Sequence, residues 1–354
     1  MMLLAGCGDA DSISVPSATQ SSEQPGIMDS LQVGATSAPE DTGHTDDSGQ
    51  TPPPTATPQP TAAPSPTPDP TPQPTPFVPL RDNTPYCPIP EAPGTVTYGN
   101  DVTTIDASHT DQGYIMANYT GTCSKVKLQI IGPNDYKCTY NLNTADFQAF
   151  PLTAGDGSYA FTVNENIQGN EYIISYELSL DVVIEDPFSP YLTPSSYVEY
   201  DSDTRAVELA AELCETARSD LDCVSLIYNY IVDTISYDYD KAEKITSGAL
   251  SSYVADIDRT LEGGKGICLD YAALMACMLR SQHIPTRMEV GYAGMAYHAW
   301  VSVYITDVGW VNGIVEFDGD TWSLMDPTFA ASNSEEELKE FIGDGSNYTV
   351  RYIY

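Results

Sequence analysis

Positive charge is scarce in this chain. Its 354 residues include 14 Lys and Arg against 50 Asp and Glu, a formal net charge of -36. Such a surface repels polyanions, which argues against nucleic acid and anionic membrane faces as partners. The scarcity is also uneven, because no Lys or Arg precedes Arg81. Histidine is sparse too: only His44, His109, His283 and His298 are present, so few side chains can serve as a neutral-pH base. No apolar run approaches the roughly 20 residues that span a bilayer as a helix. No segment has the spacing of a tight calcium loop. His298 and Asp326 have no His or Cys partner at zinc spacing, and Cys268 and Cys277 do not form a CxxC. No metal and no cofactor is therefore expected. Two-carboxylate glycosidase chemistry ranks low, because no particular acidic pair stands out.

The start of the chain is short of charge in an informative way. Met1-Met2-Leu3-Leu4-Ala5-Gly6-Cys7 closes an apolar run with Leu-Ala-Gly-Cys. A secretory signal needs a basic n-region and a longer apolar core, so residues 1–7 read as the remnant of one. The motif resembles a bacterial lipobox, which implies cleavage before Cys7 and lipidation of Cys7. Two or more acyl chains there would anchor the protein stably, where one is marginal. The expected location is the outer face of a bacterial cell membrane, with the protein held by lipid.

Residues 8–80 have no candidate core. Residues 8–50 are rich in Ser, Thr, Asp and Gly with few aromatics, the composition of a disordered segment. Residues 51–80 contain 13 Pro in 30 positions. Proline fixes φ and removes a donor, so this tract is expected to be extended and semi-rigid, reaching about 90 Å. It reads as a spacer lifting a domain off a membrane. The alternative is a PxxP ligand for another protein.

Residues 81–195 are expected to form an all-β domain, an immunoglobulin-like sandwich. Lys125 to Ile130 and Tyr159 to Val163 alternate with period two, and Glu171 to Ile184 reads as a central strand. Gly132-Pro133-Asn134-Asp135 and Gly155-Asp156-Gly157 signal turns. His109 stands alone there and reads as a surface or turn residue. Residues 196–354 change to an α+β order. Apolar stripes predict helices over 203–217 and 221–235, and a third after a glycine-rich turn. Ser334-Glu335-Glu336-Glu337 is a capping box that predicts a short late helix. Eight Cys are present. Apart from Cys7 and Cys268 these are Cys87, Cys123, Cys138, Cys214, Cys223 and Cys277. Cys123 with Cys138, or Cys214 with Cys223, could be bridged in an exported protein, and sequence does not fix the pairing.

The chemistry concentrates in Gly263-Gly264-Lys265-Gly266-Ile267-Cys268-Leu269-Asp270-Tyr271-Ala272. Three glycines end a loop, and Ala272, Ala273, Met275, Ala276 and Leu279 mark a buried helix whose first turn carries Cys268. A helix N-terminus has partial positive charge and free N–H groups. Both favour a thiolate, and the N–H groups can help form an oxyanion hole. Cys277 falls inside the apolar pattern and reads as an inert core thiol. His298 opens an alternating strand running to Ile305 and is the one good base candidate, since His44 lies in disordered sequence and His283 in a polar loop. Gly313 to Phe317 and Thr321 to Met325 predict a hairpin around Asp318-Gly319. That hairpin sets Asp326 at a strand end, beside the strand carrying His298. A carboxylate there can fix the imidazole tautomer and leave its other nitrogen for the thiol. Cys268, His298 and Asp326 are therefore the predicted nucleophile, base and orienting residue.

These residues carry a resemblance to a known family. Gly266 to Ala272, Gly291-Tyr292, His298-Ala299-Trp300, Trp322 to Thr328 and, upstream, Tyr237-Asp238 look like the motifs of the transglutaminase-like superfamily, whose core resembles papain-type cysteine proteases. The resemblance covers about 150 residues and all three triad positions match. It implies a papain-like α+β fold and a thioester formed at Cys268 on a peptide or glutamine-type amide. Water would resolve it in a protease or amidase, and an amine in a transglutaminase. The expected partner is a peptide or protein substrate, associated with the cell wall if the anchor places it there. The rival reading is a non-catalytic surface binding or scaffolding module that keeps the fold. Trp300 and Trp322 are expected to pack beneath the triad, and Tyr271 to pack rather than react.

Overall fold

The computed structural model describes residues 81–354 apart from 143, 251, 295, 312–314, 318–321 and 325–347. The expectations for residues 1–80, for Asp326 and for the helix at Ser334 fall outside the described residues, as does any contact of Trp322's side chain.

The first part of the chain is antiparallel β-structure. β1 (Thr97–Gly99), β2 (Thr103–Asp106), β3 (Tyr114–Tyr119) and β6 (Gln148–Pro151) form one four-stranded sheet in the order β1-β2-β3-β6. β4 (Val126–Ile131), β5 (Lys137–Asn141), β7 (Gly157–Gln168) and β8 (Glu171–Val182) form a second, in the order β5-β4-β7-β8. Alternation decides which residues go inside. Val126, Leu128 and Ile130 from β4, and Tyr159, Phe161 and Val163 from β7, are buried in one hydrophobic cluster with Ile115 and Ala117 of β3. The predicted turns form, with Asn134 at φ 57° and Gly155 at φ 77°.

One expected position is corrected. The strand from Glu171 lies at a sheet edge, not the centre. Its apolar residues break the two-residue period: Ile173 and Ile174 are adjacent, point to opposite faces, and remain 56% and 54% exposed. The register against β7 shifts beside them.

The second part is built round one helix. α1 (Arg205–Leu213) and α2 (Asp220–Thr234) fall inside the predicted spans or within a residue of them. Ser219 starts α2 reciprocally, since its hydroxyl accepts from Asp222 N and the Asp222 carboxylate accepts from Ser219 N. β9 (Ser236–Tyr237) is followed by two short helices that the sequence pattern did not reveal, α3 (Tyr239–Thr246) and α4 (Ile257–Gly263). Only Ala242 of α3 is buried, so no apolar stripe marks it. β10 (Lys265–Gly266) pairs parallel with β9 and leads into α5 (Cys268–Arg280). From Asp270 to Arg280 every residue of α5 is buried, as a central helix requires. β11 (Thr286–Ala293), β12 (Ala296–Ile305), β13 (Gly309–Val311) and β16 (Tyr348–Ile353) form an antiparallel sheet in the order β13-β12-β11-β16, and α5 packs against β11 and β12. The hairpin of β14 (Val315–Phe317) and β15 (Trp322–Leu324) forms as expected. It is a two-stranded sheet by itself, and the strands flanking β12 are β11 and β13.

Two features tie these parts together. Arg280, with no surface exposed, donates from Nε to Thr286 O (3.0 Å), from Nη1 to Thr193 O (3.1 Å) and from Nη2 to Tyr354 O (2.8 Å). The segment after Arg81 crosses the helices as a strap. Arg81 pairs with Asp220 at 3.1 Å and donates to Gln282 O, Asn83 donates to Cys214 O, and Tyr86 N donates to Ser281 O. The strap covers the turn after α5, so two of the residues expected in the polar loop of His283 are buried: Ser281 and Gln282 have no exposed surface, while His283 is exposed.

The cysteines are free thiols among the described residues. Cys123 and Cys138 are not a bridging pair. Cys138 is paired with Ile130, about 13 Å along β4 from Val126, whereas bridged Cα atoms lie within about 7 Å. Cys214 and Cys223 do meet. Their thiols hydrogen-bond each other, which raises Cys214 and lowers Cys223, and Arg81 Nη1 lies 3.3 Å from the Cys223 sulfur and lowers it further.

Candidate active site

Cys268 is the first residue of α5, as the sequence predicts, and is 4% exposed. Several side chains hold that helix start. Ile267 occupies the cap position with φ -97° and ψ 177° and has no side-chain oxygen to offer. Asp270 supplies what is missing, its carboxylate accepting the Ile267 N–H at 2.8 Å. Gly266 is needed for this fold-back. A Cβ at Gly266 would sit 2.6 Å from the Asp270 Cβ. The strand before it is clamped by β9, through Ser236 N to Gly264 O and Asp238 N to Gly266 O, both 2.9 Å. Gly264 turns the chain out of α4 with φ 58°. Tyr271 is fully buried and donates to Ile235 O at 2.6 Å, the packing role expected of it.

Asp270 is itself completely buried and has two further partners. Lys241 Nζ lies 2.8 Å from Oδ2, and the Tyr253 hydroxyl donates to Oδ1 at 2.6 Å. Lys241 also donates to the Tyr253 hydroxyl at 2.9 Å. Burial works against the charged lysine, but its hydrogen bonds to Asp270 and Tyr253 and the carboxylate charge outweigh that, and its pKa is raised. Burial and Asp270 push Tyr253 up to about 12. Asp238 places Lys241 by accepting from its backbone N–H at 2.9 Å, which gives Tyr237-Asp238 a structural purpose. Sequence reasoning did not find Lys241 or Tyr253. They reach Asp270 from 29 and 17 residues away, and no local pattern encodes such a meeting.

His298 is the third residue of β12, not the opening one, and is 6% exposed. The direct packing of α5 on β12 brings the helix of Cys268 against the strand of His298. His298 pairs across the ladder with Gly291. That glycine is required, because a Cβ there would lie 2.0 Å from Thr349 O of β16. Along β12, Ala299, Val301 and Val303 join the main core, and His298, Trp300 and Ser302 alternate with them. The Trp300 ring lies 6.2 Å from the imidazole at 20°, and Tyr348 meets Trp300 edge-on at 5.0 Å. Trp300 is anchored in turn by Glu289. One oxygen of that carboxylate accepts from Trp300 Nε1 (2.7 Å) and Ser302 Oγ (2.8 Å). Burial raises the Glu289 pKa, and the two donors only partly offset it. Glu289 reads in the sequence as an ordinary strand residue, with no local signal of this role. Asp326 lies outside the described residues, so two of the three predicted residues can be placed. Cys277 is fully buried and burial pushes its thiol well up, as an inert core cysteine should be. His109 stacks on Tyr114 at 5.4 Å beside a turn.

Parts of this chain are similar to known proteins. Residues 207–313, from α1 to just past β13, match the family model of the transglutaminase-like superfamily, and Cys268 and His298 both fall within the match. The UPF0252 protein MJ1282 of Methanocaldococcus jannaschii is 34% identical over 121 residues, 32% of this chain and 33% of that protein. The chain thus spans about a third of the length of the curated relative it matches. Among solved structures, the periplasmic domain of TgpA from Pseudomonas aeruginosa is 14% identical with a TM-score of 0.32, over 70% of this chain and 99% of that one. Red sea bream transglutaminase is 12% identical with a TM-score of 0.24, over 61% and 48%. On the family match, this chain carries, over residues 207–313, a domain of the transglutaminase-like superfamily.

Proposed function

We propose that the domain is a cysteine acyl-transfer enzyme acting on a peptide or glutamine-type amide. The observation that carries the reading is Cys268 at the first turn of α5, where the helix dipole and backbone N–H groups favour a thiolate, on a helix packed against the strand of His298. The Cys268 sulfur attacks the amide carbonyl and forms a carbon–sulfur bond. The carbon–nitrogen bond then breaks, and the departing amine takes its proton from the His298 imidazolium. Asp326 orients the imidazole. The thioester passes its acyl group to water or to a second amine.

The sequence supports an extracytoplasmic setting, with Cys7 as a lipid anchor, residues 8–80 as a spacer and the β-sheets before α1 as an immunoglobulin-like docking or spacing module. Surface peptides, including those of a cell wall, are then the substrates within reach. The test offers a glutamine peptide with and without a tagged primary amine. Ammonia release together with amine incorporation identifies a transferase, and release alone a hydrolase. Cleavage of the peptide backbone without ammonia release identifies a peptidase, and none of the three products from wild type, at any amine concentration, leaves a non-catalytic binding module.

A further inference from the structure

We propose that Asp270, Lys241 and Tyr253 are positioning residues for the Cys268 thiolate: they lock a neutral charge pair into the first turn of α5, and the balance of its two charges governs the thiol's reactivity. This inference rests on Cys268 being the nucleophile. Three observations carry it. Asp270 has no exposed surface, so its charge needs partners, and all of them belong to this cluster: Lys241 Nζ, the Tyr253 hydroxyl and the Ile267 N–H. The Ile267 N–H belongs to the residue immediately before Cys268, so the carboxylate is fixed to the nucleophile's own backbone. Gly266 and Asp270 approach so closely that a Cβ at 266 would lie 2.6 Å from the Asp270 Cβ and 3.3 Å from its Oδ2, so a side chain at 266 is excluded.

The electrostatic consequence has a sign. A negative charge at the helix start opposes a thiolate at Cys268, and a positive one favours it. Lys241 cancels Asp270 where little water screens either, its side chain being 21% exposed and that of Asp270 not at all. Removing one partner should therefore move Cys268 one way, and removing the other the opposite way. Other ionisable groups on elements packed against α5 include His298 on β12, Glu289 on β11 held by Trp300 and Ser302, Arg287 on β11, Asp258 on α4 held at the start of α1, Arg259 and Glu262 on α4, the exposed Lys265 on β10, Arg205, Glu208 and Glu212 on α1, and Asp220, Asp222 and Asp233 on α2. Arg280 lies at the far end of the helix. The variants below leave all of them in place.

The experiment measures the rate of iodoacetamide alkylation of Cys268 against pH, by peptide mass spectrometry, in the full chain and in Lys241→Met, Asp270→Asn and the double variant. Lys241→Met should shift the profile to higher pH and slow labelling near pH 6 about threefold or more; Asp270→Asn should shift it to lower pH and speed labelling; the double variant should return close to wild type. Circular dichroism confirms folding. Shifts of the same sign in both variants, or none, overturn the inference, because a merely structural cluster predicts only loss. If Asp270→Asn does not fold, Lys241→Met decides alone, and an unchanged profile is sufficient to reject the idea. A wild-type thiol no more reactive than a model thiol rejects the nucleophile reading instead, so the two failures are distinguishable.

Discussion

Glu289 is a carboxylate with 3% of its surface exposed, and a single oxygen takes both the Trp300 and the Ser302 donors. Burial raises its folded pKa above the ordinary 4.5. Its contribution to stability is therefore complete below that value and is lost as pH rises through the folded pKa. Glu289→Gln keeps an acceptor for both donors and carries no charge to desolvate. In thermal melts the variant's midpoint should rise relative to wild type as pH goes from about 4 to 8, by about 2–4 °C for each kcal/mol. A gap that stays constant, or widens toward acid, would contradict this. Cys268 and His298 were legible in the sequence because each sits on a local signal, a glycine-rich helix start and an alternating strand. Glu289, Lys241 and Tyr253 were not, because their importance comes from what the fold brings to them.

At the scale of elements, the approach to α5 determines how Cys268 is held. β9, β10 and the fold-back of Asp270 converge on Gly266 and Ile267. Gly266→Ala places a methyl 2.6 Å from the Asp270 Cβ, whereas Gly263→Ala meets nothing within 4 Å. Urea denaturation should show a loss of about 1–3 kcal/mol for the first, typical of overpacking, and near neutrality for the second. Equal effects would mean that Gly266 is not where the chain is tight. The sequence revealed α1, α2 and α5 through apolar stripes, and it revealed the β14–β15 hairpin through its turn. It hid α3, which buries one side chain, and it misplaced β8, because an apolar run alone does not separate an edge strand from a central one.

For the whole molecule, Arg280 is the knot. Its guanidinium, fully buried, joins the first residue of β11, the segment after the β-sheets and the residue that follows β16. No local pattern in the sequence marks it. Arg280→Met strands three buried carbonyls. The expected cost is about 3 kcal/mol or more, seen as a lower urea midpoint for the β-sheets and the helices together. A midpoint equal to wild type would show that the carbonyls find other donors. The strap from Arg81 to Tyr86 adds a second tie, between the helices and the turn after α5.

The central claim is a reactive thiolate at Cys268 served by His298, and one measurement addresses it: iodoacetamide labelling of Cys268 near pH 6 in wild type and in His298→Ala. The account predicts alkylation of wild type well above the rate of a model thiol, falling at least about tenfold when the imidazole is removed. Labelling no faster than the model thiol, and unchanged in His298→Ala, would contradict it.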